Sequence, residues 1–210
     1  MVGSLQQRGL FLGRHSKRNP YNLRGNRENP DVVLLNEDIL KRNGGSWRAP
    51  PSAVEWAPDH VERGIAILGE LSERPVWGFK DPRTLLTLDG WLQLVPDLEF
   101  VGVFRHPARV ARSLASRPKL RVEDPVALWR SHNTRLLEVH RRSAFPIVCF
   151  DDDSDVLARN FNRVAELLGL APATEEEPFF TEDLRGIDTE PVELPADVSL
   201  LYEELRAIAL

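Results

Sequence analysis

Apolar positions between Asp31 and Lys41 (Val32, Val33, Leu35, Ile39 and Leu40) recur at helical spacing. Val54, Val61, Ile65, Leu68 and Leu71 repeat the pattern, which predicts a long helix from a Ser52 cap to Ser72. Further helices are predicted from about Arg83 to Leu94, from Pro107 to Ser116, from a Glu123 or Asp124 cap to about Arg142, over Asp155–Leu168 and over Asp197–Ala209. Residues 1–9 read as the end of a helix, and Gly9 or Gly13 suits its closing turn. Three short apolar runs, Val76–Phe79, Leu98–Phe104 and Ile147–Phe150, read as strands. Polar stretches at 13–29, 43–51 and 117–122 read as loops. Strands alternating with helices predict an α/β domain, a parallel sheet flanked by helices. A chain of 210 residues is of the size of one domain, spanning 1–210.

Composition narrows the class. Hydrophobic residues make up 42% and charged residues 28%, ordinary for a soluble globular chain, and no apolar run is long enough to span a membrane. The expected compartment is the cytoplasm. Cys149 is the single cysteine, so neither an internal disulfide nor a multi-cysteine metal site is available. It sits in an apolar run and reads as a small buried hydrophobe. The histidines (His15, His60, His106, His132 and His140) share no ligand spacing, and no metal is expected.

Net charge is −5, but unevenly distributed. Residues 1–48 carry 9 basic and 4 acidic side chains, and residues 104–145 carry 10 and 3. Residues 151–210 carry 4 and 16. The basic segments suit an anionic ligand, while the acidic tail argues against nucleic acid as a partner. Arginine outnumbers lysine 23 to 4, which reads as the codon bias of a GC-rich genome.

The most informative stretch is FRHPARVARSL, Phe104–Leu114. Arg105 follows the second apolar run, at the carboxyl end of a predicted strand, where open α/β sheets bind ligands. Pro107 fits the first helical turn, and the helix carries Arg109, Arg112 and Ser113. Guanidinium groups and a hydroxyl there form a grip for a phosphate; the alternative is a solvated basic helix.

Arg-x-Pro with a serine eight residues after the arginine resembles the 3′-phosphate motif of sulfotransferases. These enzymes use 3′-phosphoadenosine 5′-phosphosulfate (PAPS) as co-substrate. Trp77-Gly78-Phe79-Lys80-Asp81-Pro82-Arg83 is similar to the Lys-Asp-Pro turn of tyrosylprotein sulfotransferases and the KDPR of bacterial sulfotransferase-family proteins. Arg24-Gly25-Asn26-Arg27-Glu28-Asn29-Pro30, then Asn36 and Gly44-Gly45-Ser46-Trp47, resembles a further segment of those bacterial proteins. The glutamate aligns, but the aromatics before it are absent. Trp129 with Asn133, and Phe179-Phe180 with Leu184-Arg185, fit the same pattern.

The resemblance implies a P-loop nucleoside triphosphate hydrolase-like fold and sulfuryl transfer to an acceptor hydroxyl or amine, carried by a small molecule, carbohydrate or peptide. It assigns Lys80 to the transferring sulfuryl group. It makes Glu28 the candidate base, Arg105 and Ser113 the 3′-phosphate ligands, and Arg185 a further nucleotide contact. Gly186 follows Arg185 where the family has a second basic residue. The family's first strand and 5′-phosphosulfate loop have no counterpart here: Met1–Gly13 looks like the helix after that loop. Gly9–Ser16 departs from a Walker A sequence in glycine spacing and in having arginine for lysine. The reading expects Met1 to stand downstream of the natural start, and this chain to transfer little or no sulfate. Two alternatives stay open: a catalytically degenerate relative that binds a nucleotide or partner, and a small-molecule kinase, which would need the missing phosphate loop.

Overall fold

The computed structural model describes residues 1–15, 25–116, 122–172 and 193–210. The chain forms two compact units, residues 1–98 with 165–179 and residues 99–164 with 180–210. Among the described residues it is mixed α/β, with eight helices and one parallel two-stranded sheet.

In the first unit, α1 (Val2–Gln6) precedes α2 (Pro30–Arg42), α3 (Pro58–Leu71) and α4 (Thr84–Leu94). Helix α2 starts where its sequence directs. Asn29 Oδ1 accepts from the Asp31 and Val32 amides at 2.9 and 3.4 Å, and Pro30 occupies the first helical turn. Its apolar face (Val32, Leu35 and Ile39) packs with Ile67 and Leu71 of α3 and Trp91 of α4 into one buried core. Each such side chain contributes about 1.5–3 kcal/mol by leaving water.

Helix α3 begins at Pro58, not at Ser52. Ala57, the residue before the proline, is extended (φ −73°, ψ 159°), the conformation that proline imposes on its predecessor. The segment ahead of it threads Trp56 between helices, with its indole donating to the Thr87 carbonyl at 3.2 Å. Gly90 makes this approach feasible: a Cβ there would lie 2.2 Å from the Trp56 ring.

Val76–Phe79 does not form the predicted strand. It makes a single parallel bridge, Phe11 with Trp77, through Phe11 N to Val76 O (3.0 Å) and Gly78 N to Phe11 O (2.9 Å). Gly9 (φ +99°) and Gly13 (φ +59°) turn the partner segment away on both sides, so the ladder cannot lengthen. Gly9 also closes α1, its amide bonding the Gln6 carbonyl at 3.1 Å, as the sequence suggested.

In the second unit, β1 (Gly102–Phe104) leads to α5 (Pro107–Ala115), α6 (Pro125–Arg142) and β2 (Ile147–Cys149). Helix α7 (Ser154–Leu167) follows, its residues 154–164 in this unit, and α8 (Ala196–Ile208) comes last. The strands pair in parallel, Gly102 with Ile147 through Phe104 with Cys149. Strand β1 is shorter than Leu98–Phe104. Its partner strand begins only after Pro146, which has no amide to donate and whose carbonyl accepts from Gly102 N at 2.9 Å. Asp124 caps α6 through the Val126 and Ala127 amides at 3.0 and 2.8 Å. Cys149 is fully buried in β2. No described helix is long and apolar enough to cross a membrane.

Candidate functional site

Lys80 and Glu28 fall in one cluster, in the first unit, and Arg105 in another, in the second. In the first unit, Lys80 Nζ donates to Glu28 Oε1 at 2.7 Å, across 52 residues of sequence. Both side chains keep contact with solvent. The lysine's turn is fixed from below. Asp81, next in sequence, is buried; its Oδ2 accepts from Asn36 Nδ2 at 2.9 Å. Its Oδ1 accepts from Arg83 N at 3.2 Å and Arg83 NH1 at 2.7 Å, closing the turn into α4. Asn36 is itself fully buried, giving a second Nδ2 bond to Thr84 Oγ1 (3.1 Å). Its Oδ1 accepts from Thr87 Oγ1 (2.8 Å) and Trp91 Nε1 (3.0 Å).

The side-chain oxygens and nitrogens of Asn36 and Asp81 are all bonded, which specifies one arrangement, while Arg83 Nε is buried without a partner. Glu28 precedes the α2 cap Asn29, so the helix that carries Asn36 also anchors the loop that carries Glu28.

Arg27 adds a second cation beside them. It is the one non-glycine residue with positive φ among those described (φ +55°), a strained conformation that clusters at functional sites. It donates to Gln6 Oε1 and lies 3.4 Å from His15 Nε2. Burial pushes its guanidinium pKa down.

In the second unit, Arg105 leaves the carboxyl end of β1 and Asp151 follows β2 by two residues. The pairing that sets Phe104 beside Cys149 continues in Phe150 N to Phe104 O (2.9 Å), and brings these two side chains together. Arg105 Nε donates to Asp151 Oδ1 at 3.2 Å, and Arg109 NH1 donates to the same oxygen at 3.0 Å. The His106 backbone amide donates to Oδ2. Trp129 Nε1 donates to the Arg105 carbonyl at 2.8 Å, and Asn133 Nδ2 to the Trp129 carbonyl at 2.8 Å. The Trp129 and Asn133 of the motif therefore hold the backbone under Arg105. Ser113 is half-buried on α5. Arg185, with Phe179, Phe180 and Leu184, lies outside the described residues.

Sequence reading had missed Asn36 as a bonding partner of the lysine turn. It had also missed Asp151, counted only within the acidic stretch 151–210, and Arg27. No local signal marks the first two, because their partners are 45 and 46 residues away.

A third cluster joins Asp38, Asp59 and His60, whose ligand atoms lie within 4.8 Å of one another. Arg63 NH1 bonds Asp38 at 2.7 Å and Arg42 NH2 bonds Asp59 at 2.6 Å. These guanidiniums already balance both carboxylates. His60 Nδ1 accepts from Ala57 N at 3.1 Å, and its Nε2 lies 3.3 Å from Asp38. The cluster reads as a pin between α2 and α3. Comparison with protein-family models, curated proteins and solved structures finds no match to this chain.

Proposed function

We propose that this chain is a cytoplasmic, PAPS-dependent sulfotransferase with a P-loop-type fold, moving a sulfuryl group to an acceptor hydroxyl or amine. The observation that carries the reading is the Lys80–Glu28 pair at 2.7 Å, set on a turn fixed by the buried Asn36–Asp81 network. Sulfuryl transfer requires a proton acceptor for the attacking O–H or N–H and a cation for the charge that builds on the SO₃ group and its bridging oxygen. Glu28 and Lys80 supply these two functions, and no metal is needed.

The acceptor displaces the carboxylate from Lys80 and gives it a proton. Lys80 Nζ then turns to the sulfuryl oxygens. The S–O bond to the 5′-phosphate breaks as the S–O or S–N bond to the acceptor forms. Adenosine 3′,5′-bisphosphate leaves with the bridging oxygen's electrons. Arg105 and Ser113 hold the 3′-phosphate, and Arg185 is a further nucleotide ligand. A small molecule, carbohydrate or peptide brings the acceptor group.

The test is transfer of labelled sulfuryl from PAPS to a panel of hydroxyl and amine acceptors, with calorimetry for adenosine 3′,5′-bisphosphate. Binding with transfer supports the reading. Binding without transfer, by this chain and by a version extended upstream alike, favours a degenerate nucleotide-binding relative, and no binding removes the nucleotide altogether.

A further inference from the structure

The Arg105 corner holds a carboxylate where a phosphate ligand would be expected to want none. Asp151 is almost fully buried and collects three donors: Arg105 Nε, Arg109 NH1 and the His106 amide. A guanidinium has five N–H donors in a fixed plane. Asp151 takes the one on Nε. Among the described residues, no hydrogen bond reaches the two terminal nitrogens of Arg105. These are the pair that grips an oxyanion bidentately. One further contact holds the side chain and another its backbone. Arg105 Cζ lies 5.5 Å from the centroid of the Phe150 ring, and Trp129 pins the Arg105 carbonyl. The guanidinium thus keeps partial access to solvent with its inner edge held and its outer edge offered.

We infer that Asp151 is a positioning residue for anion binding: it holds Arg105 by Nε and so presents the two terminal nitrogens to a phosphate. The inference rests on the reading of Arg105 as a 3′-phosphate ligand and deepens it. Two effects of Asp151 oppose each other. Its charge repels an anion, and its grip removes the freedom that Arg105 would otherwise lose on binding. Immobilising one rotamer-rich side chain beforehand is worth about tenfold in affinity. The charge of Asp151 is already balanced by two guanidiniums and the His106 amide, so its net repulsion is less than that. The two effects predict opposite signs for one substitution, which makes them separable.

The experiment is calorimetric titration with adenosine 3′,5′-bisphosphate, and separately with inorganic phosphate, of the wild-type chain, Asp151→Asn, Asp151→Glu and Arg105→Ala. Each substitution at position 151 is also made in the Arg105→Ala background. Thermal melts confirm that each variant is folded. Positioning predicts a loss of about tenfold for Asp151→Asn, a similar loss for the longer Asp151→Glu, and no further loss from either once Arg105 is gone. Tighter binding by Asp151→Asn, with Asp151→Glu unchanged, would overturn the inference and leave Asp151 as a charge balance.

A second readout needs no ligand and keeps the inference testable if Asp151→Asn melts early. The Nε–H resonance of Arg105, assigned by its disappearance in Arg105→Ala, should be sharp and slow to exchange in the wild type. It should become fast-exchanging in Asp151→Glu. A wild-type resonance that already exchanges like a free guanidinium overturns the fixing of Arg105. A fixed resonance in a chain that binds neither probe overturns the phosphate reading instead, and the inferred role in anion binding falls with it.

Discussion

The two clusters handle a cation in opposite ways. Lys80 is tied at its tip: Nζ, its only donor group, meets Glu28 at 2.7 Å. Arg105 is tied at its base: Nε meets Asp151 at 3.2 Å. A cation held by its tip must be released before it can act on anything else, and the carboxylate that released it becomes a base with a site to fill. A cation held by its base offers its tip permanently. The first arrangement suits a step in which a proton and a charge move together. The second suits binding. The supports differ as well. The lysine turn rests on neutral and charged side chains buried in a helical core, whereas the arginine is aimed by the register of two parallel strands.

Asn36→Leu should break this comparison most severely. It leaves Asp81 and the Trp91 indole buried without their partner, and should cost about 3 kcal/mol of stability by urea unfolding, with Lys80 mobilised in consequence. Loss of less than about 1 kcal/mol would mean that the network does not hold the turn. Arg105→Ala comes next. It should weaken adenosine 3′,5′-bisphosphate binding by about 1.5–3 kcal/mol, with Ser113→Ala showing a smaller loss of the same kind. Arg141→Ala is the control: Arg141 forms an exposed pair with Glu204 at 2.8 Å and should leave binding unchanged. Equal affinities for Arg105→Ala and Arg141→Ala would remove Arg105 from the site.

The smallest effect concerns acid. Arg63 beside Asp38 and Arg42 beside Asp59 hold those carboxyls below their usual range. A carboxyl whose folded pKa is depressed stabilises above its unfolded value, about 3.9, and loses that contribution as pH falls through the folded value. Urea midpoints should therefore decline below about pH 4, and Arg63→Ala should flatten the decline slightly. A slope unchanged by Arg63→Ala would show that the α2–α3 pin contributes nothing measurable. Both clusters outside this pin should be insensitive to that substitution.

Much of the helical framework was legible in the sequence because its signals are local. Pro30 after Asn29, Pro107 after His106 and Pro125 after Asp124 mark three helix starts by chemistry that acts over a turn. Ser52 misled because a cap residue before an apolar pattern looks the same whether or not a later proline resets the start. The strands were over-read, since apolar runs record burial and not pairing. Val76–Phe79 is apolar because Trp77 and Phe79 pack on the α2–α3–α4 core, and it meets a partner at one residue only. Of the candidate site, Lys80 and Glu28 were found separately through resemblance. Their contact was not legible, because it depends on a tertiary network. Asp151 was invisible for the same reason: only the register of β1 and β2 sets it beside Arg105.

The measurement closest to the central claim is sulfuryl transfer from PAPS by a form of the protein that has activity and by its Lys80→Ala and Glu28→Gln variants, each with its affinity for adenosine 3′,5′-bisphosphate. Both side chains are proposed to act on charge and protons that move in the chemical step, so turnover should fall by about a hundredfold or more for Lys80→Ala and by a similar order for Glu28→Gln. Nucleotide affinity should stay within about threefold of wild type for both. Turnover that survives in Lys80→Ala while nucleotide affinity collapses would contradict the account and make Lys80 a binding residue only.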